Sequence, residues 1–144
     1  MEWFSVKGKS SLFCFTQIID KKFYIEIVCK HLPKVKKMFD KYWRWQQDND
    51  PKHTSKFAKA FLLENVSELM NWPSNSSDLN PIENLWCIVK NNVEKCMPYN
   101  LQELERYIKE ECNKISNSVL VSLVESIRQR CELVIENNGE RISF

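Results

Sequence analysis

Residues 45–55 read W-Q-Q-D-N-D-P-K-H-T-S, and residues 72–86 read W-P-S-N-S-S-D-L-N-P-I-E-N-L-W. The first block predicts a strand running into a turn. Tyr42, Trp43 and Trp45 are strand-favouring aromatics, and Asn49-Asp50-Pro51 must break any regular element. Asp48 is thereby placed at the C-terminal lip of a strand, where α/β folds put reactive groups. The second block predicts a helix start, with Asn80 as N-cap, Pro81 at the first helical position and Glu83 at the third. Thirty-four residues separate Asp48 from Glu83. One carboxylate leaves a strand and the other opens a helix, so both can meet at one divalent metal site.

Taken singly, these residues have plainer readings. An acid three residues after an Asn cap is what a capping box calls for, which would account for Glu83 without any chemistry. Asp48 alone reads equally as a turn-forming Asx residue, and Asp78 as a turn or helix-start residue. His53 alone is more often a surface or hydrogen-bonded histidine than a catalytic one. The joint occurrence of both blocks, in order and at this spacing, sets the plainer reading aside for Asp48 and Glu83 only.

Together the two blocks resemble the catalytic domain of the mariner-superfamily transposases, in particular their Tc-type branch. The likeness covers nearly the whole chain, including R-Q-R-C-E-L-V-I-E-N-N-G at residues 128–139. It implies an α/β fold of the RNase H-like kind, a mixed sheet flanked by helices, with extra helices at the C-terminal end. It implies that Asp48 and Glu83 are the second and third catalytic acids, both metal ligands, with Asp48 bridging two Mg²⁺ or Mn²⁺ ions and Glu83 holding one. Such a pair of ions activates a water or hydroxyl and stabilises the leaving oxygen, as DNA cleavage and strand transfer require. Lys52 and His53 are implied to support that site or contact DNA.

Transposon-end DNA in the nucleus, with no small-molecule substrate and no membrane, is the partner the resemblance implies; homo-oligomerisation stays open. The family's first Asp lies on a strand upstream of this sequence. The expectation is therefore a single truncated DDE endonuclease domain over residues 1–144, lacking its first strand and inactive alone. The opening M-E-W-F-S lacks the Gly usual between its Trp and the Phe-Ser, and Ser77 stands where a Pro is usual. Two other readings remain: a non-catalytic DNA- or protein-binding remnant, and a decayed copy without function.

Composition agrees with a folded nucleic-acid enzyme without demanding one. The chain has 144 residues, 43% hydrophobic and 28% charged, which suits one ordinary domain with a real core. No apolar run approaches the ~20 residues of a membrane span, and Met1-Glu2-Trp3 does not open a signal peptide. The six cysteines have no paired spacing, and two histidines offer little for zinc, so reduced and mostly buried thiols are expected. Net charge is +2, but residues 1–60 carry 13 Lys/Arg against 6 Asp/Glu and the remainder 8 against 13. A basic half suits a polyanion, although charge asymmetry alone reads first as a solvated lysine face.

The rest of the chain fills in around the two blocks. Trp3–Val6 and Leu12–Ile18 are predicted as strands joined by a turn at residues 7–10. Asp20 is expected to cap a helix over about residues 21–32 that Pro33 interrupts, ahead of a strand at residues 42–47. Thr54 or Ser55 should cap the next helix, followed by a short strand at residues 68–71. The Pro81 helix should bury Ile82, Leu85, Trp86, Val89 and Val93. Asn100 and Glu103 form a capping-box pattern. Ser118 should start the last helix, with Leu120, Leu123, Val124, Ile127, Cys131, Val134 and Ile135 inward and Gly139 ending it.

Overall fold

Residues 3–39 and 42–143 are described by the computed structural model, so Met1 and Glu2 of the opening motif lie outside it. In chain order the elements are β1 (Phe4–Ser5), β2 (Gly8–Lys9), α1 (Lys21–Met38), β3 (Arg44–Trp45), α2 (Pro51–Thr54), α3 (Lys56–Asn65), β4 (Glu68–Leu69), α4 (Pro81–Lys95), α5 (Leu101–Lys114) and α6 (Asn117–Glu136). This is a mixed α/β fold with small sheets and extra C-terminal helices, consistent with an RNase H-like domain lacking a strand. The described residues form two units, one within residues 15–76 and the other from the residues up to Cys14 together with those from Ser77 onward.

In the first unit, Asp20 caps α1 by accepting from the backbone N–H of Lys22 and Phe23 at 3.0 and 2.8 Å. Contrary to the expected stop, α1 runs through Pro33 to Met38. Pro33 removes one hydrogen bond, to the carbonyl of Cys29, and both residues are exposed, so water can take the freed carbonyl. On the other face Tyr24, Ile25, Ile27, Val28 and Leu32 are buried, and α1 packs on α2 and α3, where Ala58 and Leu62 are fully covered.

β3 and β4 pair in parallel, with Arg44 opposite Glu68 and Trp45 opposite Leu69. The opposed charges meet at 2.8 Å, and the Met70 N–H adds a bond to the Trp45 carbonyl at 2.9 Å. A parallel pair needs a crossover, which the segment holding α2 and α3 supplies. The strand expected over residues 42–47 therefore shrinks to the two residues that have a partner, and Tyr42 is exposed.

In the second unit, β1 and β2 form an antiparallel hairpin with Ser5 opposite Gly8. The turn is thus Val6-Lys7, and Gly8 and Lys9, expected within the turn, belong to the strand. Gly8 adopts φ 135°, a conformation open to glycine. Residues 12–18 form no strand, because alternating apolar residues make a strand only where a neighbour offers a ladder.

α4 packs against α5 and α6. Val89, Val93 and Cys112 form its core with Leu12, Trp86, Leu104, Tyr107, Ile108 and Ile115 against them. Lys9 of the hairpin donates to the carbonyls of Cys112 and Ile115 at the end of α5, where a cation complements the helix dipole. Asn138 and Gly139 end α6 at φ 54° and 85°, with the Gly139 N–H on the Val134 carbonyl at 2.8 Å, as expected of that glycine.

Two expectations about burial fail here. Cys131 and Ile135 of α6 are exposed, and the buried residues of that helix are Leu120 and Arg130. The six cysteines are all free, but Cys29, Cys87, Cys96 and Cys131 are exposed. No helix among the described residues is long and apolar enough to cross a membrane.

Candidate metal and nucleic-acid site

Asp48 lies three residues beyond the end of β3, in the turn that leads to α2. Its side chain is 59% exposed. One carboxylate oxygen, Oδ1, accepts from the Asp50 N–H at 3.3 Å and from His53 Nδ1 at 2.5 Å. An ionised carboxylate only accepts, so His53 carries its proton on Nδ1 in this contact. The second oxygen of Asp48 makes no hydrogen bond among the described residues. The Asx-turn reading and the site reading of Asp48 thus hold at once, through different oxygens.

The neighbouring side chains form one polar cluster. His53 is only 12% exposed, with its ring 4.3 Å from the ring of Tyr24. The Tyr24 hydroxyl donates to Gln47 Oε1 at 2.7 Å, Trp45 Nε1 donates to the same oxygen at 3.3 Å, and Gln47 Nε2 donates to the His53 carbonyl at 3.2 Å. Burial raises the Tyr24 phenol far above its ordinary range, so it stays protonated and a donor. Asn49 Nδ2 donates to the Trp72 carbonyl at 2.7 Å, tying the first block to the start of the second.

Asp50 caps α2 through the Lys52 N–H at 3.0 Å and pairs with the Lys52 ammonium. That hydrogen bond holds the Asp50 carboxyl below its ordinary value, against the opposing effect of burial. Lys52 and His53, expected at DNA, are both engaged here: the ammonium with Asp50, the imidazole with Asp48 and Tyr24.

Glu83 belongs to the other unit. Asn80 caps α4, its Oδ1 accepting from the Ile82 N–H at 3.4 Å and its carbonyl from the Glu83 N–H at 3.1 Å; Pro81 follows at the first position. In a capping box the Glu83 carboxylate would take the Asn80 N–H. That donor instead bonds the Ser77 carbonyl at 3.0 Å. The Glu83 carboxylate is exposed and makes no hydrogen bond or ion pair among the described residues. Its plainest structural reading is therefore not realised.

A cavity of about 570 Å³ within this unit is lined by Asp78, Glu83, Asn84, Cys87, Arg130 and Arg141 among others. Arg130 is 1% exposed, with Nη1 on the Asp78 carbonyl at 2.7 Å and Nε on Ser126 Oγ at 2.9 Å. Burial lowers its pKa, with Asp78 opposing, yet a guanidinium remains charged. Asp78 Oδ2 accepts from the Ile142 N–H at 3.0 Å. Sequence reasoning missed Arg130 and the 141–143 segment. The available signal was Ser126 four residues before Arg130, a hydroxyl on the same helix face as an arginine flanked by Ile127 and Val134.

The donor chemistry of Asp48 and Glu83, ionised oxygens with lone pairs to spare, fits a hard divalent cation. Among the described residues, no group of three His, Cys, Asp or Glu side chains is arranged to hold an ion. The two donors fit in kind.

Residues 8–105 match the family described as DDE superfamily endonuclease, a span that contains both sequence blocks. The chain is 33% identical over 142 residues to the Transposable element Tcb2 transposase of Caenorhabditis briggsae, covering 96% of this chain and 52% of that protein. It is 37% identical over 95 residues to the Transposable element Tc1 transposase of Caenorhabditis elegans, covering 66% and 35%. It is 35% identical over 107 residues to the Tc3 transposase of the same organism, covering 72% and 32%. The chain thus spans about half, or less, of the length of these curated relatives.

Proposed function

The chain belongs to the DDE superfamily endonucleases, and from that premise we propose that it carries two metal-binding acids, Asp48 and Glu83, of a domain that cleaves DNA at transposon ends and transfers the strand. The observation that supports this most is the state of Glu83. It stands in the family-matched segment, lines a cavity, and leaves its carboxylate unused by the capping box that would otherwise explain it. Mg²⁺ or Mn²⁺ held there would supply activation of the attacking hydroxyl and stabilisation of the leaving oxygen.

This chain's own residues prepare the ligands. His53 Nδ1–H fixes one oxygen of Asp48 and leaves the other outward, the usual support of a ligating carboxylate. Tyr24 and Gln47 hold His53 in turn, one against its ring and the other on its carbonyl. Asp50 neutralises Lys52, so phosphate contact by Lys52 requires that pair to open. DNA is the partner, and the nucleus the place of action, that the relatives' description as transposases supports.

Calorimetric titration of the purified chain with Mn²⁺ tests the reading. Wild type binds, and Asp48→Ala and Glu83→Ala each lose affinity. Retention of full affinity by either variant removes that residue from the site, and no binding by the wild type removes the metal assignment.

A non-catalytic DNA-binding role is the second reading, favoured by the lack of a three-ligand group among the described residues. It predicts salt-sensitive duplex binding without nicking in Mn²⁺. Metal-dependent nicking that Asp48→Ala abolishes rules it out.

A further inference from the structure

We propose that Arg130 is the positioning residue of the Glu83 helix start, bracing from α6 the loop that sets where α4 begins. The functional meaning of this bracing rests on the reading of Glu83 as a metal ligand; the bracing itself does not.

The argument begins with an oddity of burial. Beyond Leu120, α6 covers its long apolar side chains only partly, yet Arg130 is 1% exposed. A charged group is buried only where its hydrogen bonds are made, and two of these are fixed. Nε takes Ser126 Oγ at 2.9 Å, one turn back on α6, which orients the planar fork. Nη1 then takes the Asp78 carbonyl at 2.7 Å, across 52 residues of sequence.

Asp78 sits in the short loop from Ser77 to Asn80, a loop with little freedom left. Its carboxylate is held by the Ile142 N–H at 3.0 Å, and the Ser77 carbonyl receives the Asn80 N–H at 3.0 Å. Asn80 is the cap whose carbonyl takes the Glu83 N–H at 3.1 Å. An unbroken path of backbone and hydrogen bonds therefore runs from α6 through Arg130 to Glu83. Arg130 and Glu83 line the same cavity, with no bond between them. Arg130 is in this sense a brace, not a ligand.

A lysine fits the space and keeps the charge but cannot bridge both acceptors in one plane. Arg130→Lys and Arg130→Met are compared with wild type by amide hydrogen exchange and by Mn²⁺ calorimetry, well below their melting temperatures. The exposed Arg128→Ala serves as control. In Arg130→Lys, exchange at the amides of Asn80 and Glu83 rises about tenfold, the scale of one lost charge-assisted hydrogen bond, while α5 amides stay unchanged. Mn²⁺ affinity falls about tenfold in the same variant, as for loss of an outer support.

Unchanged exchange at Asn80 and Glu83 overturns the proposal, and so does a rise spread equally over α4, α5 and α6. Should both Arg130 variants fail to fold, Ser126→Ala keeps the arginine and removes one anchor. A smaller local rise at Asn80 and Glu83 then supports the proposal, and none overturns it. If wild type takes up no Mn²⁺ but the local rise is seen, the brace stands and the metal reading falls.

Discussion

The turn that carries Asp48 and the helix start that carries Glu83 hold their acids by opposite means. Asp48 is gripped directly, through its own carboxylate, by residues two and five positions away in sequence. Glu83 has no grip on its carboxylate, and its backbone is placed by residues far along the chain, Arg130 and Ile142 acting on Asp78. A site built the first way is settled as soon as the turn forms. One built the second way depends on the packing of a whole helical unit. Damage to a remote core residue should therefore reach Glu83, while Asp48 answers to its immediate neighbours.

The largest effect should come from the remote side. Leu85 is 1% exposed on the buried face of α4, two residues after Glu83, and ties that helix to the core of its unit. Leu85→Ala removes its transfer energy and leaves a cavity, together about 3 kcal/mol. The urea midpoint should fall accordingly, and exchange should rise at Asn80 and Glu83 together with the rest of α4. If Leu85→Ala instead leaves the cap of α4 as protected as in wild type, the Glu83 start is local after all, and the contrast with Asp48 fails.

The local side is probed by His53→Ala. It releases one oxygen of Asp48 and empties the contact with Tyr24. Mn²⁺ affinity should fall about tenfold, the low end for loss of a ligand's hydrogen-bonded support. Exchange at Glu83 should not change. Tighter Mn²⁺ binding would mean that His53 competes with the cation for Asp48, which reverses the role assigned to it.

What the sequence made legible follows the same division. The start of α4 was readable because its cap, its proline and its stripe of Leu85, Val89 and Val93 all lie within one helix. Likewise Asn100 takes the Glu103 N–H at 2.9 Å as the capping pattern predicts, although Glu103 reaches the Tyr99 N–H and not that of the cap. The strand expected at residues 12–18 failed because a ladder partner is a non-local fact that alternation cannot reveal. Pro33 misled because its penalty falls on an exposed face, which only the fold specifies. Arg130 was invisible for the same reason, since its acceptor at Asp78 lies 52 residues away. Asp48 and Glu83 were singled out from their blocks, but the one unused oxygen of Asp48 and the unengaged carboxylate of Glu83 became evident only in three dimensions.

The smallest effect concerns how firmly the α4–α5 pairing supports the remote side as pH falls. Glu111 of α5 pairs with Lys114 and also accepts from Asn92 of α4. The Lys114 hydrogen bond is the main cause holding its carboxyl below the ordinary 4.5, with burial acting against it. A carboxyl depressed in the folded state binds fewer protons there than in the unfolded chain near that pH. The stability it contributes is therefore complete above 4.5 and is lost as pH falls through the lower folded value. Glu111→Gln keeps an acceptor for Asn92 and removes the titration. Its urea midpoint should lie slightly below that of wild type at neutral pH and decline less steeply below pH 4.5. The same acid slope in both proteins would mean that Glu111 is held no more favourably in the fold than in the open chain, leaving the apolar seam of Val89, Val93 and Cys112 as what couples α5 to the helix of Glu83.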